Sequence, residues 1–524
     1  MGLALRRLIA AFVTLWLAGC AGVLPPVDRT PSHTLVAAPG TPLMAAVRDA
    51  WLPTLASGVW PLLQASFALD ARLTLIANAT TSLDLQYYLI ADDPTGRSIL
   101  RALREAALRG VRVRLLVDDL YTNDLDHLLL GLASTPNVEV RLFNPFVTAR
   151  ESSLRRLLAL ARDFKRLNHR MHNKLLVADG AMGVIGGRNL ADEYFFRGAR
   201  GNFIDFDLLV GGAIVPELGQ WFDLYWNSTQ AYPVQDITRA SGRVAQTPAE
   251  ILERFDRSTR ADVLEPPPVG EDAFGAPSLH DALAQHRVKL IAADAAAFAD
   301  SPDKADPANH SIAVEDTLTH RFMLQLSEAH TEVDLFSPYF IPGDDALARI
   351  RSLRERGVKL RVVTNSLAVS DEPLVSLRLE RRQPELLTMG VDLYELSSER
   401  LKLDRTLRGL LGMSTGRLHA KLGLIDRRIV MVGSMNLDPR SASINTEIGV
   451  RVDSPQLAEM VLAGFKVAEL TGVYQVRLQP GGRSVRWVAV DGDTTEEVDV
   501  DPDTSFWQRA RLMLLGLFVP ESQL

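Results

Sequence analysis

The chain has 524 residues, 47% of them hydrophobic and 23% charged, which is ordinary globular composition and enough length for two domain-sized cores or one large fused one. A net charge of −7 argues against binding nucleic acid through the overall electrostatic field, although a local basic groove stays compatible with it. The single cysteine, Cys20, excludes an internal disulfide framework and any multi-cysteine metal site.

At the start, Arg6-Arg7 precede an apolar run from Leu8 to Leu17, and Leu17-Ala18-Gly19-Cys20 resembles the lipobox of a bacterial lipoprotein signal peptide. The resemblance implies cleavage before Cys20, lipidation of its sulfur and a periplasm-facing chain. Ala21, not being an acidic retention signal, leans towards the outer membrane. The alternative is a short uncleaved anchor with an incidental cysteine, and either reading holds the chain at a membrane. No other stretch reaches the roughly 20 uninterrupted apolar residues of a spanning helix.

Residues 21–60 carry Pro25, Pro26, Pro31, Pro39 and Pro42 and read as a tether with a first helix. Residues 61–235 alternate helix and strand patterns. Ser82 to Tyr88 reads as a strand, Gly96 to Leu108 as an amphipathic helix and Gly110 to Val117 as the next strand, which predicts a parallel pair with a crossover. Residues 236–315 are expected to be a linker with helices, Pro/Gly-rich over 265–278. Residues 316–470 repeat the first pattern: Val333 opens a strand, Ala346 to Glu355 a helix, and Arg356 to Val363 a strand, with Arg109-Gly110-Val111 recurring 247 residues later as Arg356-Gly357-Val358. The extension 471–524 ends in an apolar stretch from Phe506 to Phe518, either a helix packed on the core or one resting on lipid. The basic run Lys165 to Arg170 suits anionic headgroups or a plain exposed loop equally.

The string His-x-Lys-x-x-x-x-Asp occurs twice, as His172, Lys174, Asp179 and as His419, Lys421, Asp426, again 247 residues apart. Composition sets the chance expectation for such a match below roughly 0.02. The context also repeats, with Gly186-Gly187-Arg188-Asn189 after the first copy and Gly433-Ser434-Met435-Asn436 after the second. In a strand, residues two apart share a face, so each His and Lys point together while Asp179 and Asp426 fall on the other parity. Those acids are expected to stabilise turns and not to touch substrate.

Phosphodiester cleavage needs an attacking group, a proton donor for the departing oxygen and fixed positive charge for the phosphoryl oxygens. One His from each copy supplies attacker and donor, and the two Lys supply the charge, with no metal or cofactor required. Each imidazole needs its other nitrogen held by an acid, for which Asp207 and Glu447 lie in matching downstream strand patterns. Asn189, Ser434 and Asn436 are candidates to donate to phosphate oxygens. Gly187 stands where the second copy has Ser434, which leaves the first copy without that hydroxyl.

These motifs resemble the phospholipase D superfamily, and the stretches Asp84 to Ile90, Ala107 to Val111, Asn436 to Ser441 and Asn445 to Glu447 are similar to bacterial cardiolipin synthases, with Asp501 to Trp507 suggesting the C-type branch. The resemblance implies an α/β fold of two fused repeats, each a mixed β-sheet flanked by helices, with one active site at their interface. It further implies a phosphatidyltransferase that works through phosphohistidine on phosphatidylglycerol and phosphatidylethanolamine in a membrane. By the same analogy His172 is the nucleophile and His419 the general acid. A phospholipase D with water as acceptor is the alternative, and a periplasmic nuclease would call for a basic groove that this acidic chain does not advertise.

Overall fold

A computed structural model describes residues 24–50, 53, 56–147, 150, 153–241, 247–260, 266–307, 314–402, 415–465, 472–491 and 494–516. Cys20 and the apolar run before it lie outside the described residues. Among the described residues no helix is long and apolar enough to cross a membrane.

The duplicated unit folds where the sequence pattern places it. In the first half the strand Ser82–Tyr87 leads into the helix Pro94–Leu108 and then the strand Arg112–Asp118. The helix starts where Asp93 accepts a hydrogen bond from Gly96 N at 2.9 Å, with Pro94 in the first turn. It ends at Gly110, whose φ of +98° an L side chain would resist; Gly357 takes φ +82° after the matching helix Asp344–Glu355. The strands Ser82–Tyr87 and Arg112–Asp118 run parallel, with Leu85 opposite Leu115, and Glu332–Phe336 pairs in the same sense with Lys359–Asn365.

Followed through its pairings, the sheet is continuous across both halves. The first half reads Ala231–Pro233, Val138–Phe143, Arg112–Asp118, Ser82–Tyr87, Lys174–Ala178, Met182–Gly186, Asp207–Gly212 and Ser57–Leu62. The strand Ile291–Ala299 then pairs through residues 291–293 with Ser57–Leu62 and through residues 294–299 with Ile448–Asp453. From there the second half mirrors the first, through Ile429–Gly433, Leu422–Ile425, Glu332–Phe336, Lys359–Asn365 and Asp392–Leu396, and ends in the antiparallel strands of the extension. Its central strands are buried on both faces, as strands between helical layers are. Leu83, Leu85, Val113 and Leu115 in the first half, and Val333, Leu335, Leu360 and Val362 in the second, fill the two cores.

The joining strand is a departure from the expected linker. Ile291-Ala292-Ala293-Asp294-Ala295-Ala296-Ala297-Phe298-Ala299 is rich in a helix-favouring residue, and pairing along its whole length, first with one half and then with the other, overrides that preference. The terminal helix Phe506–Gly516 packs against the helix Pro373–Thr388, while Phe506 and Trp507 stay exposed.

Candidate active site

Two short crossings between the halves build the site. Met171 bridges Thr446, with His172 N donating to Thr446 O and Thr446 N to Arg170 O, both at 2.9 Å. In the mirror-related crossing, Thr415–Leu418 pairs in parallel with Gly201–Ile204, and His419 N donates to Ile204 O at 2.8 Å. In each crossing the residue after the partner segment is an acid, so each histidine meets a carboxylate from the other half. His172 Nδ1 lies 3.0 Å from Glu447 Oε2, and His419 Nδ1 lies 2.6 Å from Asp205 Oδ2.

The expectation for Asp207 is therefore corrected. Its carboxylate lies 2.9 Å from Arg72 and 3.0 Å from Arg188, in a fully buried cluster, and the histidine partner is Asp205, two residues earlier. Both positions have the same strand parity, so alternation alone does not separate them. A topological signal does: Gly433 pairs with Gly449 and Gly186 with Asp207, which makes Asp205 the counterpart of Glu447.

Ser434 is corrected as well. Its hydroxyl donates to Glu447 and accepts from Ile448 N, so it orients the acid and does not wait for a phosphate oxygen. Ser441 Oγ donates to the other oxygen of Glu447 at 2.8 Å. In the first half the equivalent space is already full, since a Cβ on residue 187 would stand 2.1 Å from Asp205 Oδ1. A glycine there is the steric condition for the shorter acid. Asn189 Nδ2 donates to the Tyr194 hydroxyl at 2.8 Å, and Asn436 N donates to Ser441 Oγ at 3.2 Å; the carboxamide oxygens of both Asn are buried without a hydrogen-bond partner. Asp179 and Asp426 stand outside the cluster at φ +53° and +52°, each accepting three backbone amides.

Lys174 Nζ donates to His172 O at 2.6 Å and Lys421 Nζ to His419 O at 2.5 Å, which folds each ammonium back over its own histidine. Burial pushes Lys421 down to about 8 and Lys174 well below the lysine range. Burial also pushes His172 down to about 4 against the pull of Glu447, and lowers His419. The charge of His419 brings Asp205 to about 2, more than offsetting its burial. Lys421 acts electrostatically on both His172 and Lys174, so groups from the two halves share one field.

Sequence reasoning missed the aromatic walls and one brace. Tyr88 meets the His172 ring edge-on at 4.8 Å between centroids, while Tyr194 and Phe203 pack on His419 at 5.0 and 4.9 Å. Asp118 accepts from Met171 N at 2.8 Å and pairs with Arg170 at 3.1 Å, which fixes the backbone just before His172. Neither has a motif signal beyond a residue type at a strand end.

A continuous mixed sheet with a His-x-Lys segment leading into one strand of each half, each imidazole held by an acid from the opposite half, defines the class of phospholipase D-like enzymes. Residues 73–226 and 323–467 match the family described as cardiolipin synthase, phospholipase D-like domain. The chain is 35% identical to cardiolipin synthase C of Escherichia coli (strain K12), over 88% of this chain and 95% of that protein. It is 27% identical to cardiolipin synthase 1 of Staphylococcus aureus (strain COL), covering 76% of this chain and 64% of the relative. Among solved structures, phosphatidylserine synthase of Haemophilus influenzae Rd KW20 shares the fold at a TM-score of 0.54 and 13% identity, over 82% of this chain and 90% of that one. The chain belongs to the cardiolipin synthase family of phospholipase D-like proteins, and is a phospholipase D-type phosphatidyltransferase.

Proposed function

We propose that this chain makes cardiolipin by moving a phosphatidyl group from one phospholipid to the hydroxyl of phosphatidylglycerol, with phosphatidylglycerol or phosphatidylethanolamine as donor. The observation that carries the reading is the crossed pairing of His172 with Glu447 and His419 with Asp205. An acid on Nδ1 leaves Nε2 as the reacting nitrogen in both rings.

His172, neutral because burial depresses its basicity, attacks phosphorus through Nε2. The bond from phosphorus to the headgroup oxygen breaks, and His419 gives that oxygen its proton. The acceptor hydroxyl then returns a proton to His419 as its oxygen attacks the phosphohistidine, the P–N bond breaks, and His172 is neutral again. Burial lowers His419, and the 2.6 Å contact with the Asp205 carboxylate opposes that burial by stabilising the imidazolium, which supports the donor role. Lys174 and Lys421 supply charge for the phosphoryl oxygens, and the amides of Asn189 and Asn436 are candidates to hold them. A lipidated Cys20 would keep the enzyme on the periplasmic side of the envelope, at the outer membrane by the character of Ala21. Nucleic acid has no part in this reading.

The test is a product assay with labelled phosphatidylglycerol, with and without phosphatidylethanolamine. Cardiolipin is expected, and its absence with phosphatidic acid in its place would make the chain a hydrolase. His172→Ala and His419→Ala should each abolish the product in lipid mass spectrometry while the protein still folds.

A further inference from the structure

The helix Ser153–Arg162 is turned inside out. Leu154, Leu157 and Leu158 are 67%, 61% and 45% exposed, Ala161 carries the same face onward at helical spacing, and Phe164, at the start of the next short helix Phe164–Leu167, is exposed as well, whereas Arg156 is 6% exposed. A water-facing helix ordinarily buries its apolar stripe. Here the rotation is set by the buried arginine: Arg156 donates to Asp119 O at 2.6 Å and Leu120 O at 2.9 Å, and its guanidinium lies 4.9 Å from the Phe146 ring centre. Rolling the leucines inward would carry Arg156 outward, breaking those bonds and leaving the Asp119 and Leu120 carbonyls without their donor.

The charge around this face is opposite to that of the whole chain. Residues 153–166 hold five basic side chains and one acid in a protein of net charge −7, and Arg155 and Lys165 are exposed. The face also adjoins the site. Asp119 and Leu120, which anchor Arg156, precede Tyr121, whose half-exposed ring stands 5.3 Å from Tyr88, the ring that packs on His172.

We propose that this helix face docks on an anionic phospholipid bilayer. The leucines and Phe164 sit below the headgroups, Arg155 and Lys165 lie at phosphate level, and the Tyr121 edge of the site is presented to the lipid surface. Charge complementarity favours this occupant over a symmetric pairing of the face with its own copy, because a patch of one sign repels itself. The inference rests on the reading of the chain as an enzyme of bilayer lipids.

Hydrogen exchange on the full chain tests it. Vesicles of phosphatidylglycerol and phosphatidylcholine in equal parts are expected to protect the amides of 154–165, and pure phosphatidylcholine vesicles are not. The paired change Leu157→Glu with Leu158→Glu should remove the protection and cut turnover on mixed vesicles at least about tenfold, leaving turnover on detergent-dispersed short-chain lipid within about twofold. Leu157→Ser with Leu158→Ser, which adds no charge, should move both readouts the same way if the glutamates disturb the helix. Absent protection, or equal protection by the neutral vesicles, would overturn the proposal. So would protection that grows with protein concentration without lipid, which marks a second copy, or equal loss in both turnover assays. A wild-type chain that makes no product in either assay would defeat the catalytic reading, while the protection pattern still decides the docking.

Discussion

His419 Nδ1 and Asp205 Oδ2 lie 2.6 Å apart, although 214 residues separate them and they come from different repeats. His172 and Glu447, 275 residues apart, make the reciprocal pair. Neither half therefore holds a complete histidine–acid unit, and the duplicated fold becomes an enzyme only through the two crossings at Thr446 and Ile204.

The pairing separates two neighbouring acids by experiment. Asp205→Asn is expected to lower kcat by roughly 10⁴-fold, as loss of the acid behind a catalytic imidazole does, with the melting temperature little changed. Asp207→Asn removes the anion shared by Arg72 and Arg188 and should cost about 3–5 kcal/mol of stability, leaving kcat per folded molecule close to wild type. Kinetics and thermal unfolding of both variants decide it, and the reverse pattern would return the catalytic role to Asp207.

Gly187 and Ser434 should respond unequally to being exchanged. Ser434→Gly removes one of the two hydroxyls on Glu447, and Ser441 still holds the other oxygen, so a loss of about tenfold in kcat is expected. Gly187→Ser forces a Cβ against the Asp205 carboxylate, displacing the acid from His419, and kcat should fall at least about a hundredfold. Equal effects would mean that the carboxylate has room to move.

Much of this arrangement is legible in the chain. The repeated His-x-Lys motif, the helix stops at Gly110 and Gly357, and the placing of Asp179 and Asp426 at turns are read from repetition and spacing, whereas the histidines, which strand alternation places inside strands, precede the strands Lys174–Ala178 and Leu422–Ile425 and do not lie in them. Asp205 is harder, because 16 residues separate it from Asn189 while 11 separate Glu447 from Asn436. The first half spends the difference on the turn Asp192–Phe195 and the crossing strand Gly201–Ile204, so aligning the acids by strand pattern slips by two. The joining strand Ile291–Ala299 is illegible for another reason: its alanines have no strand preference, and only partners far along the chain make it extended. The pairing of acids across the repeats has no local signal, since it depends on how the two sheets meet.

Burial depresses His172, Lys174, His419 and Lys421 alike, and the values for Lys421 and His172 set two limits on the pH dependence of activity. Lys421 is cationic below about 8 and neutral above, so kcat/KM should fall as pH rises through that value, when the phosphoryl oxygens lose a counter-charge. His172 remains unprotonated down to about 4, so the nucleophile limits the rate only in strong acid. Stability follows its own sign. An imidazole at about 4 in the fold and 6.5 when unfolded means that the unfolded chain binds the extra proton between those values, so this group lowers stability as pH falls from 6.5 towards 4. A kcat/KM profile level from pH 6 to 10 would falsify the role given to Lys421.

The two motif acids should matter for folding, and unequally. Asp179 is fully buried and gathers the amides of Thr80, Thr81 and Ser82 together with the hydroxyls of both threonines, tying the turn at Gly180 to the start of the strand Ser82–Tyr87. Asp426 makes the same fan to His330, Thr331 and Glu332, but its partners at His330 and Thr331 are exposed, and water can replace the lost carboxylate. Asp179→Ala leaves several donors stranded, at about 1–3 kcal/mol for each one that water cannot reach, and should lower stability by at least about 3 kcal/mol. Asp426→Ala should cost about 1 kcal/mol. Urea unfolding gives the two values, and kcat per folded molecule should stay near wild type in both, because neither carboxylate touches an imidazole. An Asp426 variant as unstable as the Asp179 one would show that solvent does not reach the second turn.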